Sequence, residues 1–172
     1  MCRTIVNYPP AANRLHAAVT GGSGINGYDG RPIKRSAGGD KVKAVIIRET
    51  GGVDKLLYEE VETPTPGAGE VVVRLRAAGV NHLDHDIREG IAGFSTPVPH
   101  VPGVEGAGEV AEIGDGVTNV KVGDRVSISI IAPCGTCRLC RTGRDNLCES
   151  PSGALGIAMW STYAEYVRCF AS

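Results

Sequence analysis

The stretch Glu70-Val71-Val72-Val73-Arg74-Leu75-Arg76-Ala77-Ala78 decides the fold class. Val73, Leu75 and Ala77 alternate with Arg74 and Arg76, which gives an extended chain two unlike faces. On the N-terminal side, Val42–Arg48 is β-rich and ends at Gly51-Gly52, and Leu56–Glu62 stops at Pro64-Thr65-Pro66-Gly67. On the C-terminal side, Gly79 precedes the only plausible short helix, Asn81 to Glu89. Beyond it, Glu109–Ile113 and Val126–Ile130 alternate strongly, with Asp115-Gly116 as turn chemistry between them. Thr162 to Cys169 reads as a last strand. Short strands at close spacing, without repeated crossover helices, predict a mainly β fold closed into a barrel or partly open one.

Composition agrees. Gly and Pro together make 34 of 172 residues and aromatics only 5%, which suits a turn-rich β protein with a Val/Ile core and argues against a helical bundle. A net charge of -1 leaves no basic footprint for nucleic acid. No apolar run approaches the roughly 18–20 residues that span a bilayer, and the N-terminal residues lack the apolar core of a signal peptide. A cytoplasmic protein that engages neither nucleic acid nor membrane is therefore expected.

The charge is unevenly spread. Residues 1–40 carry a net +3 and seven glycines, and residues 41–172 carry -4. The first stretch keeps neither helical nor strand periodicity for long and is expected to be a poorly ordered leader before a domain over 41–172. It contains Gly22-Ser23-Gly24-Ile25-Asn26-Gly27, a match to G-x-G-x-x-G. That motif binds a dinucleotide only where its glycines lead into a helix. Tyr28-Asp29-Gly30-Arg31-Pro32 follows and cannot open one.

Four of the six cysteines form Cys134-x2-Cys137-x2-Cys140-x7-Cys148. Thiolates are soft ligands, and two-residue spacers let neighbouring cysteines curl around one ion. Four sulfurs complete a tetrahedral zinc site with no open position for water, so the site would be structural. Gly135 and Gly143 permit the tight turns. Two alternatives stand beside zinc. An iron–sulfur cluster of ferredoxin type ends in x3-Cys-Pro, whereas this run ends in x7-Cys-Glu. Disulfides would need a secretory context. Arg138, Arg141 and Arg144 either offset the negative charge of the cluster or form a solvated face. Cys2 and Cys169 are read as ordinary thiols.

Several motifs together resemble a known family. They are Gly79-Val80-Asn81-His82-Leu83-Asp84, Pro102-Gly103-Val104-Glu105-Gly106-Ala107-Gly108-Glu109-Val110, Gly114-Asp115-Gly116-Val117, Val122-Gly123-Asp124-Arg125-Val126, the four-cysteine run, and Tyr163-Ala164-Glu165-Tyr166-Val167. In this order, residues from about 42 to 168 are similar to the N-terminal, GroES-like catalytic domain of the medium-chain dehydrogenase/reductase superfamily, which includes zinc alcohol dehydrogenases and quinone oxidoreductases. The resemblance implies a GroES-like partly open barrel with a short helix and a zinc lobe held by Cys134, Cys137, Cys140 and Cys148. It also implies an NAD or NADP cofactor bound by a Rossmann domain, which is expected to be absent from this chain.

The departures from the family pattern shape the expected site. The relatives' first two catalytic-zinc ligands fall at Asn81 and Val104, where asparagine is a poor ligand and valine is none. Leu83 stands where relatives carry a proton-relay hydroxyl. By resemblance to the zinc-free quinone-oxidoreductase branch, Asn81 would donate to the developing oxyanion and His82 would face the cofactor phosphates. Asp84 and Glu105 keep the family's acids. A metal site rebuilt from His82, Asp84, His85 and Glu105 is one reading; the other has Asp84 ordering the turn and His85 as surface polarity. Functionally, the resemblance implies the catalytic-domain portion of an oxidoreductase acting on a small-molecule alcohol, carbonyl or quinone, inactive alone and oligomeric only at full length. The alternative is a standalone zinc-stabilised β module with a binding or remnant role.

Overall fold

The computed structural model describes residues 5–7, 40–91, 93 and 96–171. Among these residues nine strands and two α-helices follow one another: β1 (Ile5–Asn7), β2 (Lys41–Ile46), β3 (Leu57–Glu62), β4 (Glu70–Ala78), α1 (His82–Glu89), β5 (Gly106–Ile113), β6 (Arg125–Ile128), β7 (Ile131–Ala132), α2 (Arg138–Arg141), β8 (Gly153–Ala154) and β9 (Tyr166–Phe170). A five-stranded antiparallel sheet runs β1-β6-β5-β4-β9, and β2-β3 and β7-β8 form two separate hairpins. Most of the expected leader, with its Gly22–Gly27 string, lies outside the described residues. Ile5–Asn7 extends the sheet by pairing with Val126–Ile128 of β6.

The β2-β3 hairpin closes onto the sheet through residues 163–165. Val45 N–H donates to the Tyr163 carbonyl at 2.7 Å, Glu165 N–H donates to the Lys43 carbonyl at 3.0 Å, and Ala44 bridges Ala164. The same chain then continues as β9 along β4. Thr162–Cys169 is thus one extended path that changes partner midway, and only its second half belongs to the main sheet. This corner makes the partly open barrel expected from the strand spacing.

Inward-facing aliphatic side chains build two cores. Val71, Val73, Val110, Val126, Ile128, Leu155 and Val167 pack in one, and Ala44, Ile46 and Val101 in the other. Strand β2 alternates cleanly, with Val42, Ala44 and Ile46 buried. Strand β4 occupies the predicted residues but not the predicted pattern: Val71, Val72 and Val73 are all buried, Leu75 reaches the first core, and Ala77 is exposed. The first half of β4 is covered on both faces, while its end runs past the core.

Three further expectations need correction. Strand β5 starts at Gly106, ahead of Glu109, because Gly108 allows a backbone approach that no side chain would tolerate: a Cβ there would lie 2.1 Å from the Arg74 carbonyl oxygen, next to a register shift in β4 between Leu75 and Ala77. Strand β6 ends at Ile128, since Ile130 instead offers its carbonyl to Leu155 N–H at 2.9 Å. The Asn81–Glu89 helix is joined by a second, one-turn helix, α2, inside the cysteine run. Among the described residues, no helix is long and apolar enough to cross a membrane.

Candidate functional site

The cysteine run forms a lobe whose neck is the β7-β8 ladder, Ile131 opposite Ala154 and Ala132 opposite Gly153. Inside it, Gly135 and Gly143 take left-handed φ values of 71° and 74°, where a β-carbon would be strained. These turns fold the chain back so that the Sγ atoms of Cys134, Cys137, Cys140 and Cys148 all lie within 4.8 Å of one another. Tetrahedral zinc with bonds near 2.3 Å needs sulfur–sulfur edges of about 3.8 Å, and Cys134 and Cys140 are 4.0 Å apart. That spacing is far beyond the roughly 2.05 Å of a disulfide.

Backbone N–H groups converge on the sulfurs. Cys137 N–H donates to Cys134 Sγ at 3.3 Å, Cys140 N–H to Cys137 Sγ at 3.4 Å, and Cys134 N–H and Ser150 N–H to Cys148 Sγ at 3.3 and 3.4 Å. Such donors favour the thiolate form that a metal requires. The hydrogen bond from Thr136 Oγ1, together with the N–H groups of Thr136 and Cys137, lowers the Cys134 thiol to about 6. The N–H groups of Cys140 and Glu149 lower Cys137, while burial pushes Cys140 up to about 12. Four sulfurs gathered in one place offer a metal ion a complete tetrahedral ligand set. Arg138, Arg141 and Arg144 are exposed, and Arg138 pairs with Glu149 at 3.6 Å.

The second cluster sits at the start of α1. Asn81 caps the helix and forms a capping box with Asp84, whose Oδ2 accepts the Asn81 backbone N–H at 2.8 Å. The same oxygen accepts the Tyr163 hydroxyl at 3.0 Å, across 79 residues of sequence. Asp84 is 5% exposed. Asn81 Nδ2 and Asp84 Oδ1 are buried without a hydrogen-bond partner, a spare donor and a spare acceptor in one place. Glu105 stands alongside, with its carboxylate over Gly79: a β-carbon on Gly79 would meet Glu105 Oε1 at 2.0 Å. Burial, then the bond to Asp84 and the charges of Asp84 and Glu105, raise the Tyr163 phenol above its ordinary value.

Asn81, Asp84 and Glu105 therefore gather around Tyr163. His82 is turned away, on the solvent face of α1, where its ring stacks on His85 at 5.5 Å. This geometry does not bring together a metal site from His82, Asp84, His85 and Glu105, because the two imidazoles stack on the exposed face of α1 while Asp84 is buried against Tyr163 and Glu105, from the segment before β5, lies over Gly79. The family position at Val104 is filled by a buried aliphatic side chain with no donor atom. Tyr163 is the member that residue reading missed; its motif marked a strand but carried no sign of a partner on α1.

With this geometry established, likeness to known proteins is specific. The family model described as the alcohol dehydrogenase GroES-like domain matches residues 67–172. An alcohol dehydrogenase of Moraxella sp. (strain TAE123) is 42% identical over 127 residues, 73% of this chain and 37% of that protein. One of Geobacillus stearothermophilus is 43% identical over 131 residues, 76% of this chain and 38% of that protein. A cobalt- and zinc-bound thermostable alcohol dehydrogenase of Pyrobaculum aerophilum superposes with a TM-score of 0.70 at 42% identity, over 76% of this chain and 40% of that one. The chain thus spans little more than a third of the length of the curated relatives it matches.

Proposed function

The chain belongs to the alcohol dehydrogenase GroES-like domain family, and from that premise we propose that it is the catalytic-domain portion of an NAD(P)-dependent medium-chain oxidoreductase, stabilised by a structural zinc. The observation that carries the reading is the unpaired Asn81 amide beside a carboxylate held by Tyr163.

The nicotinamide, when bound, supplies or accepts the hydride. Asn81 Nδ2–H donates to the substrate oxygen as negative charge develops on it, and a neutral amide does so without exchanging a proton. Asp84 fixes Asn81 through the capping box, and Tyr163 fixes Asp84. Glu105 keeps negative charge next to this group. His82, exposed on α1, would meet the cofactor phosphates if the cofactor binds against the outer face of that helix, as the resemblance implies. The four cysteines would hold zinc with no open coordination position, so its contribution is to folding. Asn81 and Val104 do not fit a catalytic zinc bound as in zinc-dependent relatives, and no step passes through one. The substrate is a small alcohol, carbonyl or quinone, and the setting is cytoplasmic.

The test is to express the chain joined to its downstream coding sequence and to follow NAD(P)H oxidation with aldehydes, enones and quinones. Turnover lost in Asn81→Leu supports the reading, and absence of turnover with all three classes sinks it. A chain that folds and loads zinc yet has no adjoining cofactor domain in its gene would instead fit a standalone zinc-stabilised module.

A further inference from the structure

Between the end of β3 and the approach to β9 lies a cleft that the proposed chemistry does not use. Its volume is about 540 Å³, the size of many small-molecule sites. Neither Asn81, Asp84, Glu105 nor Tyr163 lines it. We infer that it binds a small neutral aromatic molecule carrying one hydrogen-bonding oxygen, held between the ring of Trp160 and the hydroxyl of Ser161.

The lining selects this chemistry. Val61, Val101, Met159 and Val167 make the walls apolar, and the Met159 thioether is a favourable neighbour for an aromatic ring. Trp160 adds a flat ring, 44% exposed, whose Nε1–H donates to the Pro99 carbonyl at 2.9 Å. That bond uses the only donor of the indole and fixes the ring, so a ligand meets it as an apolar surface. Ser161 supplies the polar contact. It is 1% exposed, its N–H donates to the Val101 carbonyl at 2.9 Å, and its Oγ is buried without a hydrogen-bond partner. Buried hydroxyls are normally paired, and a ligand oxygen beside Ser161 completes this one. Charge argues for a neutral molecule. Arg168, the one cation in the described lining, is already engaged by Glu70 at 3.5 Å, and an anion would also meet Glu62. Glu62 is itself exposed, where water screens its pull on a cation.

The experiment uses the whole 172-residue chain, labelled with ¹⁵N and expressed with zinc, and titrates it with phenol. Trp160 is the chain's only tryptophan, so the spectrum holds one indole N–H signal and that signal reports on the cleft. The expected result is a saturable displacement of it. Ser161→Ala should weaken phenol binding about fivefold, the loss of one neutral hydrogen bond. The same variant should bind toluene, which has no oxygen, as tightly as the parent chain does. Ala158→Phe, at an exposed position of the lining, should obstruct the cleft and abolish binding of both probes. Retained dispersion of the amide signals reports that each variant is folded. An indole signal that stays in place, that moves without saturating, or that answers phenol equally in the parent chain and both variants overturns the inference.

Discussion

The barrel and the cysteine lobe are held together by different physics. The barrel is an apolar construction in which Ile46, Val71, Val73, Val110 and Val126 exclude water from two adjoining cores. Among the described residues the lobe has no such core; Leu147 is 55% exposed, and its inward-facing groups are the four sulfurs, the N–H groups aimed at them and the buried Asp145. One region folds by burying surface and the other by gathering ligands. The two should therefore fail separately, under different insults.

The largest expected effect is metal removal. Binding of structural zinc is worth about 10–16 kcal/mol in small cysteine sites. Chelation, or Cys140→Ser, should open the lobe between Pro133 and Pro151 to limited proteolysis while the sheet stays protected in hydrogen exchange. If the whole chain unfolds together, the separation is wrong. Next comes Ile46→Ala in the second core, where Ile46 is 2% exposed. It should cost about 3 kcal/mol in denaturant unfolding and leave zinc content unchanged. Smaller still is Tyr163→Phe, which strips Asp84 of a donor and should cost about 1–2 kcal/mol. In that variant, alkaline titration of the remaining tyrosines should lose its latest-titrating component, since the Tyr163 phenol is raised.

The smallest effect is a pH dependence confined to the barrel. His100 is fully buried with its Nε2 on the Gly156 carbonyl at 2.8 Å; burial lowers its affinity for a proton, and that hydrogen bond opposes the change only in part. As pH falls below about 6.5, the unfolded chain takes up a proton that the folded chain refuses. Stability from this residue is therefore complete above that pH and declines below it, by at most about 1.4 kcal/mol per pH unit for one proton. Thermal unfolding should show the slope, and His100→Gln should flatten it. An equal slope in that variant would place the acid sensitivity elsewhere.

What could be read from residues alone divides along the same line. The bounds of β4 and α1 were legible within a residue or so, because a Val-rich run and a short segment after Gly79 are local signals, whereas the burial of three successive valines in β4 was not. The cysteine ligand set was legible because the chemistry is written in spacing. Helix α2 was not, since Arg138–Arg141 becomes helical only when Cys137 and Cys140 must face one centre. Strands β7 and β8 have two residues each, too few to show any period. Strand β1 pairs with a partner some 120 positions away. At the site, Asn81 and Asp84 came from their neighbourhood, whereas the hydroxyl that joins them comes from Tyr163 across the barrel. The burial of Asp84 beside an exposed His85 follows from helical geometry, in which adjacent residues point about 100° apart.

The change of partner within residues 163–170 has a consequence for synthesis. Ala44 and Ala164, the bridge that closes the barrel, are 120 residues apart. At about 5–20 residues per second, a ribosome needs roughly ten seconds between making one and making the other. During that interval the free edge of β2 has been translated and its partner has not. Slowing translation before residue 163 should prolong the time for which that edge stays unpaired.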